Sequence, residues 1–195
     1  MQKKHLQDVA EIFSGYLFKE VLKNDEDGEI MVIQLKNVND DGEITLNNLF
    51  KVSLDNVSER LYLRKNDIIF KSKSTSHSSA IIPEVTGKII ASSHYLTVRI
   101  TEDSVLPEYL LWYLQQDFTQ DYFMKKAGRR LIRLINKKVL GELEVKIPSI
   151  AHQEQIVQLN DLFRKEKKLT LKLLKKKEQM IYGIFLKLLG EDSGK

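Results

Sequence analysis

The sequence predicts a mixed α/β domain of the α+β class, followed by one long C-terminal helix. Three observations support this fold class. Runs of β-branched and aromatic residues between polar turns dominate about the first 100 residues. Apolar residues then recur at helical spacing over 107–126. Finally, residues 151–189 contain no proline and one glycine, Gly183, and their leucines follow a heptad-like spacing.

The N-terminal part is expected to form a β-rich domain. Residues 30–35 favour a strand, and the polar turn 39–42 follows them. Further strand-forming runs lie at 61–63, 68–70, 88–91 and 95–100. The small polar stretch 71–79 lacks any periodicity and is therefore predicted to be a loop.

The next part is expected to end the domain with a helix, a short helix and a strand. Pro107 suits the first position of the helix 107–126, because the missing N–H has no helical partner there. Asn136 is a suitable N-cap for a short helix, Lys137–Gly141. Residues 143–147 alternate like a last strand before Pro148.

Beyond a folded domain at 1–150, residues 151–190 are predicted to form one helix, with a flexible tail at 191–195. A helix of about 38 residues is about 57 Å long at 1.5 Å per residue, more than so small a domain can cover. Its apolar seam therefore needs a partner helix, unless the helix folds back on its own domain. The seam residues are Leu162, Leu169, Leu173, Met180, Ile184 and Leu188.

Composition excludes several function classes. The chain has no cysteine, which excludes disulfides and cysteine-based zinc sites and favours a reducing compartment. No signal-peptide pattern and no apolar run of roughly 20 residues occur, so we expect a soluble cytoplasmic protein without membrane contact. The four histidines lack metal-ligand spacing and no phosphate-binding glycine motif occurs, so no metal or cofactor is expected.

The net charge of +4 is unevenly distributed. Residues 20–59 carry ten acidic and three basic side chains, whereas residues 125–138 carry seven basic side chains and no acidic one. This asymmetry favours a polyanionic partner, although a solvated charged face is the alternative. The basic residues, of which the arginines suit guanine edges or phosphates, are Lys125, Lys126, Arg129, Arg130, Arg133, Lys137 and Lys138.

The predicted loop 71–79 is a second candidate for contacts with nucleic acid. Lys71 and Lys73 could bind phosphates. The short polar side chains of this loop could contact base edges or backbone, and they are Ser74, Thr75, Ser76 and His77. A mobile surface loop without a binding role is the alternative.

Four segments of the chain carry a resemblance to a known family. They read LQDVAEIFSG at 6–15, LRKNDIIF at 63–70, LPEYLLWYL at 106–114 and LGELEVKIPSIAHQEQI at 140–156. In this order, and followed by a heptad helix, they resemble the specificity (S) subunits of type I restriction–modification systems. Asn66 stands where that family usually has glycine. Family members carry two recognition domains and two long helices, so this chain looks like a half-length form.

The resemblance implies a non-catalytic target recognition domain that reads one half of a bipartite site in double-stranded DNA. It also implies methyltransferase (M) subunits as partners, and a restriction (R) subunit in the full complex. The long helices of the family pack antiparallel, so this chain is expected to form a homodimer. Two equivalent readers about a two-fold axis would recognise a palindromic bipartite site.

Two other functions remain open at this point. A stand-alone DNA-binding scaffold or regulator would use the same basic residues and the same long helix. A metal-dependent nuclease would use Glu144 and Lys146 as a Glu-x-Lys motif with Asp67 upstream, although outward-facing residues of a strand explain that spacing equally. Methyl transfer by this chain is disfavoured, because it has neither a Pro-Pro pair nor a cysteine.

Overall fold

A computed structural model describes residues 2–74, 77–128 and 133–189. The chain divides into two compact units, Met1–Glu154 and Gln155–Lys195. The first is a mixed unit of sheets and short helices, and the second consists of the greater part of a long helix. The predicted fold class is confirmed.

The elements of the first unit follow one another mainly as short strands. The strands are β1 (Gln2–His5), β2 (Ala10–Ser14), β3 (Ile30–Ile33), β4 (Phe50–Val52), β5 (Ile68–Lys71), β6 (Lys73–Ser74), β7 (Ser79–Ile81), β8 (Lys88–Ala91), β9 (Tyr95–Ile100), β10 (Arg133–Leu134) and β11 (Glu144–Ile147). The helices are α1 (Leu6–Val9), α2 (Pro107–Gln115), α3 (Asp117–Ala127), α4 (Lys137–Gly141) and α5 (Ile150–Leu188), which continues through the second unit.

Two sheets supply most of the core. One is antiparallel with the strand order β2-β9-β5-β7, and the other has the order β4-β3-β8 with β3 parallel to β8. They are joined at Gly15, where an added Cβ would lie 2.4 Å from the carbonyl oxygens of Ala91 and Ser92. Only glycine permits this approach of two backbones. A buried cluster draws on both sheets and includes Ile33, Ile69, Ile82, Ile89 and Tyr95.

The helix predicted over 107–126 is wrong in one respect, because the chain forms two helices that break at Gln116. The backbone of Gln116 is extended, with φ −74° and ψ 149°. Its Nε2 donates to the carbonyl of Trp112 at 2.9 Å, and Nε2 of Gln120 donates to the carbonyl of Leu114 at 2.8 Å. These amides satisfy carbonyls that the end of α2 leaves without helical partners, so the break requires neither proline nor glycine.

Two further expectations about local structure need correction. Residues 61–63 form no strand, because a 3-10 turn ends at Leu61 and Tyr62 makes only an isolated bridge to Ile90. Residues 71–74 are not a plain loop, because β5 continues to Lys71 and β6 follows at once.

The first unit includes the first turn of α5. The side chain of Gln153 is 0% exposed. Its Oε1 accepts from the N–H of Leu106 at 2.9 Å, and its Nε2 donates to the carbonyls of Ser104 at 2.8 Å and Pro148 at 2.9 Å. Among the described residues, no helix is both long and apolar enough to cross a membrane.

Candidate nucleic-acid interface

The two segments predicted to contact nucleic acid lie side by side. β6 and β10 pair antiparallel, with Ser74 opposite Arg133 and Lys73 opposite Leu134. The ladder continues through the N–H of Ile135, which donates to the carbonyl of Ser72 at 2.9 Å. Residues separated by about sixty positions in the sequence therefore form one strip of the surface.

The helices on either side of β10 add exposed lysines to this strip. Lys125 and Lys126 end α3, and Lys137 and Lys138 begin α4, and all four are exposed. The Tyr122 hydroxyl of α3 donates to the carbonyl of Val139 in α4 at 3.0 Å, which holds the two helices together. We call Lys73, Lys125, Lys126, Lys137 and Lys138 the basic surface.

Some lysines of the basic surface also interact with groups of their own helices. Lys125 and Lys126 are at the C-terminal end of α3, where cations interact favourably with the helix dipole. The Nζ of Lys126 lies 5.7 Å from the Tyr122 ring centroid, and that of Lys138 lies 3.8 Å from a carboxylate oxygen of Glu142. Exposed contacts of this kind are weak, so the lysines can exchange them for phosphate contacts.

Two of the predicted contact residues are buried, which corrects their expected role. The side chain of Lys71 is 8% exposed and lies 3.8 Å from the Asp40 carboxylate. His77 is 2% exposed, its ring stacks on Phe70 at 5.5 Å, and its Nδ1 lies 2.9 Å from the carbonyl of Lys71. Both side chains are therefore enclosed beside β5 and are not exposed as those of a surface loop would be.

The remaining candidates divide into exposed residues and residues that are not described. Lys73 is exposed and Ser74 is half-buried. Thr75, Ser76, Arg129 and Arg130 lie outside the described residues, and Arg133 is described only by its backbone in β10.

The turn before β5 is held by an ion pair that the sequence did not indicate. Nε and Nη2 of Arg99 donate to the two carboxylate oxygens of Asp67 at 2.9 and 2.7 Å, and Oδ2 also accepts from the N–H of Arg64 at 2.8 Å. Hydrogen bonding to Asp67 raises the pKa of the Arg99 guanidinium. Asn66 in this turn has φ +71°, a left-handed conformation that asparagine tolerates better than other non-glycine residues.

The same contacts weaken the nuclease interpretation. Both carboxylate oxygens of Asp67 accept hydrogen bonds from the Arg99 guanidinium. Glu144 and Lys146 are on the exposed face of β11, whose burial alternates along the strand. Glu144 pairs with Lys3 of β1 at 2.8 Å, and this hydrogen bond lowers the pKa of its carboxyl. Across the described part of the chain, no three His, Asp or Glu side chains are grouped as metal ligands.

Comparison with known proteins finds one family and solved structures that are similar to this chain, of which three are described. The model of a family described as the type I restriction modification DNA specificity domain matches residues 1–182. No curated protein matches the chain. A chain of a type I R-M system, solved to explain complex assembly and conformational transition, is 18% identical with a TM-score of 0.65, and the match covers 97% of this chain and 43% of that one.

Two other structures have the same relation to this chain. The HsdS subunit from Thermoanaerobacter tengcongensis is 15% identical with a TM-score of 0.60, and the match covers 85% of this chain and 37% of that subunit. A type I S subunit from M. genitalium is 16% identical with a TM-score of 0.52, and the coverages are 97% and 46%. The chain thus spans less than half the length of each, and the likeness shows the fold.

Proposed function

Because this chain belongs to the family of type I restriction modification DNA specificity domains, we propose that it reads one half of a bipartite site in double-stranded DNA. The observation that carries the proposal is the pairing of β6 with β10, which joins the two segments expected to contact DNA. Lysine side chains of the basic surface would bind phosphates and set the position of the unit on the duplex. Polar side chains beside these lysines would contact the base edges and so read the sequence.

The proposal includes the partners that the family implies. The chain would act without catalysis of its own and would bring methyltransferase subunits to the DNA, with a restriction subunit in the full complex. A regulator that binds DNA without these subunits is the competing interpretation. The two differ in whether removal of the gene changes DNA methylation or only transcription.

The long helix supports a dimer in this proposal. The six seam residues, from Leu162 to Leu188, are between 48% and 79% exposed. Apolar stripes of this length are usually covered by a partner helix, and a second copy packed antiparallel would cover the seam along its length. The pair would then carry two equivalent readers about a two-fold axis, which suits a palindromic bipartite site.

Methylome sequencing of the host, with the gene present and deleted, tests the function directly. We expect one bipartite methylated motif to disappear on deletion and to return when the gene is restored. An unchanged methylome with altered transcription would favour the regulator instead. An unchanged methylome and an unchanged transcriptome would refute both.

The DNA-binding surface is tested with lysine-to-glutamine substitutions in the full chain. Substitution of all five lysines of the basic surface should abolish selection of a sequence from a randomised duplex library. A control with two substitutions replaces Lys23 and Lys51, which are exposed in the acidic segment 20–59, and should select the wild-type sequence. Selection of the same sequence by both variants would move the site elsewhere.

Dimerisation is tested by sedimentation equilibrium. Aspartate at Leu169 and Leu173 should convert the protein to a monomer, because a charge in the seam would be buried without a partner. Aspartate at Gln179, an exposed residue of α5 outside the seam, is the control and should leave the dimer intact. A seam variant that remained dimeric would contradict the proposed role of the helix.

A further inference from the structure

The long helix carries a second basic segment of 14 residues, with the same net charge of +7 as the segment 125–138. Residues 164–177 contain eight basic side chains and one acidic, Glu166. At 100° per residue, six of the basic side chains fall within an arc of about 120°. We call these six the basic ladder, and they are Arg164, Lys165, Lys168, Lys172, Lys175 and Lys176.

The basic ladder lies away from the apolar face of α5. The seam residues together with Phe163, Leu174, Ile181 and Phe185 centre roughly 160° from the centre of the ladder around the helix. All of these apolar side chains are exposed within the chain, as are the lysines of the ladder. A helix that covers the seam would therefore leave the ladder on the outer surface of the pair.

The spacing of the ladder opposes the stability of the helix. Arg164, Lys168, Lys172 and Lys176 follow one another at intervals of four residues, so each has a like charge one turn away, although Arg164 and Lys168 also interact with other groups of the chain. Like charges at this spacing destabilise a helix, whereas a glutamate at alternate positions would stabilise it. Solubility alone does not require this arrangement, since mixed charges would serve it equally. A polyanion bound along the ladder would relieve the repulsion.

We propose that the basic ladder binds the phosphate backbone of double-stranded DNA outside the base pairs that the recognition unit reads. This inference rests on the proposed function. The four cations spaced by one turn extend over about 18 Å, at 1.5 Å per residue. That length equals roughly five base pairs at 3.4 Å of rise. The ladder would add affinity without sequence information, because lysines that contact phosphates do not distinguish bases.

Charge and geometry favour DNA over a membrane surface as the partner. A helix that lies in a lipid headgroup layer buries its apolar face there and keeps its cations beside that layer. On α5 the apolar face would pack against a partner helix, and the ladder lies on the other side of the helix. The apolar face and the ladder could not both contact one lipid layer. A stiff polyanion with regular charges fits a row of cations that repeat about every 6 Å along the helix and turn by only about 40° per step.

The test uses the full chain with Lys165, Lys168, Lys172 and Lys175 replaced by glutamine. Glutamine has nearly the helix propensity of lysine, so the helix should persist, as circular dichroism can check. The matched control replaces Lys19, Lys23, Lys36 and Lys51, four exposed lysines of the first unit. A third variant has arginine at Lys165, Lys168, Lys172 and Lys175 and retains the charge.

Affinity for a random-sequence 30-base-pair duplex is measured by fluorescence anisotropy between about 50 and 200 mM salt. Each lost phosphate contact should reduce the slope of log K against log salt by about 0.9, so the ladder variant should lose up to about 3.6 for each copy of the chain whose ladder contacts the duplex. The control and the arginine variant should keep the wild-type slope. Sequence selection from a randomised library should give the same motif for the wild type and the ladder variant.

The outcomes separate the ladder from the recognition function. A wild-type slope for the ladder variant would overturn the proposal, even when the wild-type protein selects a motif. Failure of the wild-type protein to select any motif would contradict the proposed function, while the slope would still report on the ladder. An unchanged slope with lost binding to anionic lipid vesicles would assign the ladder to a membrane surface and likewise overturn the proposal.

Discussion

Replacement of Gln153 by alanine tests how much its side chain stabilises the first unit at the start of the long helix. Its amide makes three hydrogen bonds to backbone groups of Ser104, Leu106 and Pro148, all inside the first unit. Alanine would leave one N–H and two carbonyls without these partners. Each unsatisfied buried group costs about 1–3 kcal/mol. Water entering the space would recover part of this cost, so we expect a loss of about 3 kcal/mol.

Urea and thermal unfolding measure this loss. Trp112, the single tryptophan of the chain, lies on α2 and reports on the first unit. For a unit of this size, a loss of 3 kcal/mol corresponds to a fall in Tm of roughly 6–12 °C. Alanine at the neighbouring exposed Glu154 is the control and should change stability by less than about 0.5 kcal/mol. A Gln153→Ala protein with a Tm within about 1 °C of wild type would refute the reasoning.

A second substitution, Gln153→Glu, separates hydrogen bonding from packing. The new side chain keeps an acceptor for the N–H of Leu106 but places a carboxylate against two carbonyl oxygens. Burial would raise the pKa of this carboxyl above its unfolded value of about 4.3. A group whose pKa is raised on folding loses stability as pH rises, so the deficit relative to wild type should be larger at pH 7 than at pH 4. A deficit independent of pH would contradict this account.

Three further substitutions test the turns and contacts of the first unit by Tm measurements. Gly15→Ala should prevent folding or lower Tm by more than 10 °C, at about 2–4 °C per kcal/mol, because its Cβ would lie 2.4 Å from two carbonyl oxygens. Gly183→Ala is the control, because nothing lies within 4 Å of a Cβ at Gly183, and it should raise the stability of the helix by about 1 kcal/mol. Equal effects of Gly15→Ala and Gly183→Ala on stability would contradict the role given to the close approach at Gly15. Asn66→Val should lower the free energy of unfolding by about 1–3 kcal/mol, because φ of residue 66 is +71°. Asn66→Gly should be nearly neutral. A valine variant as stable as the wild type would contradict the left-handed conformation of this turn. Asp67→Asn should cost about 3 kcal/mol by leaving the Arg99 guanidinium without its counter-charge, and a loss below 1 kcal/mol would show that water replaces it.

Elements with a strong local sequence signal were predicted well. Strands at 88–91 and 95–100 agree with β8 and β9, because β-branched and aromatic residues favour a strand whichever strands it pairs with. The N-cap at Asn136 is confirmed, since its side chain accepts from the N–H of Val139 at 2.9 Å. The long helix begins at Ile150 and ends at Leu188, close to the expected 151–190.

Elements that depend on a distant partner could not be predicted in this way. β6 and β10 are two residues long, and each exists because the other lies beside it. The burial of Lys71 and His77 likewise follows from packing against Asp40, Phe70 and Phe123, which no local pattern reveals. The sequence therefore named two segments that the fold brings together as β6 and β10, but it did not reveal which of their side chains are buried.

The pairing of β1 with β11 has a consequence for how such chains diversify. Gln2 lies opposite Ile147, so the polypeptide enters and leaves the first unit at neighbouring points. A segment with adjacent ends can be exchanged between genes, or repeated in tandem, without stretching the connections on either side. If the chain reads DNA as proposed, exchange of the first unit would change the target while the helix that follows stays unaltered.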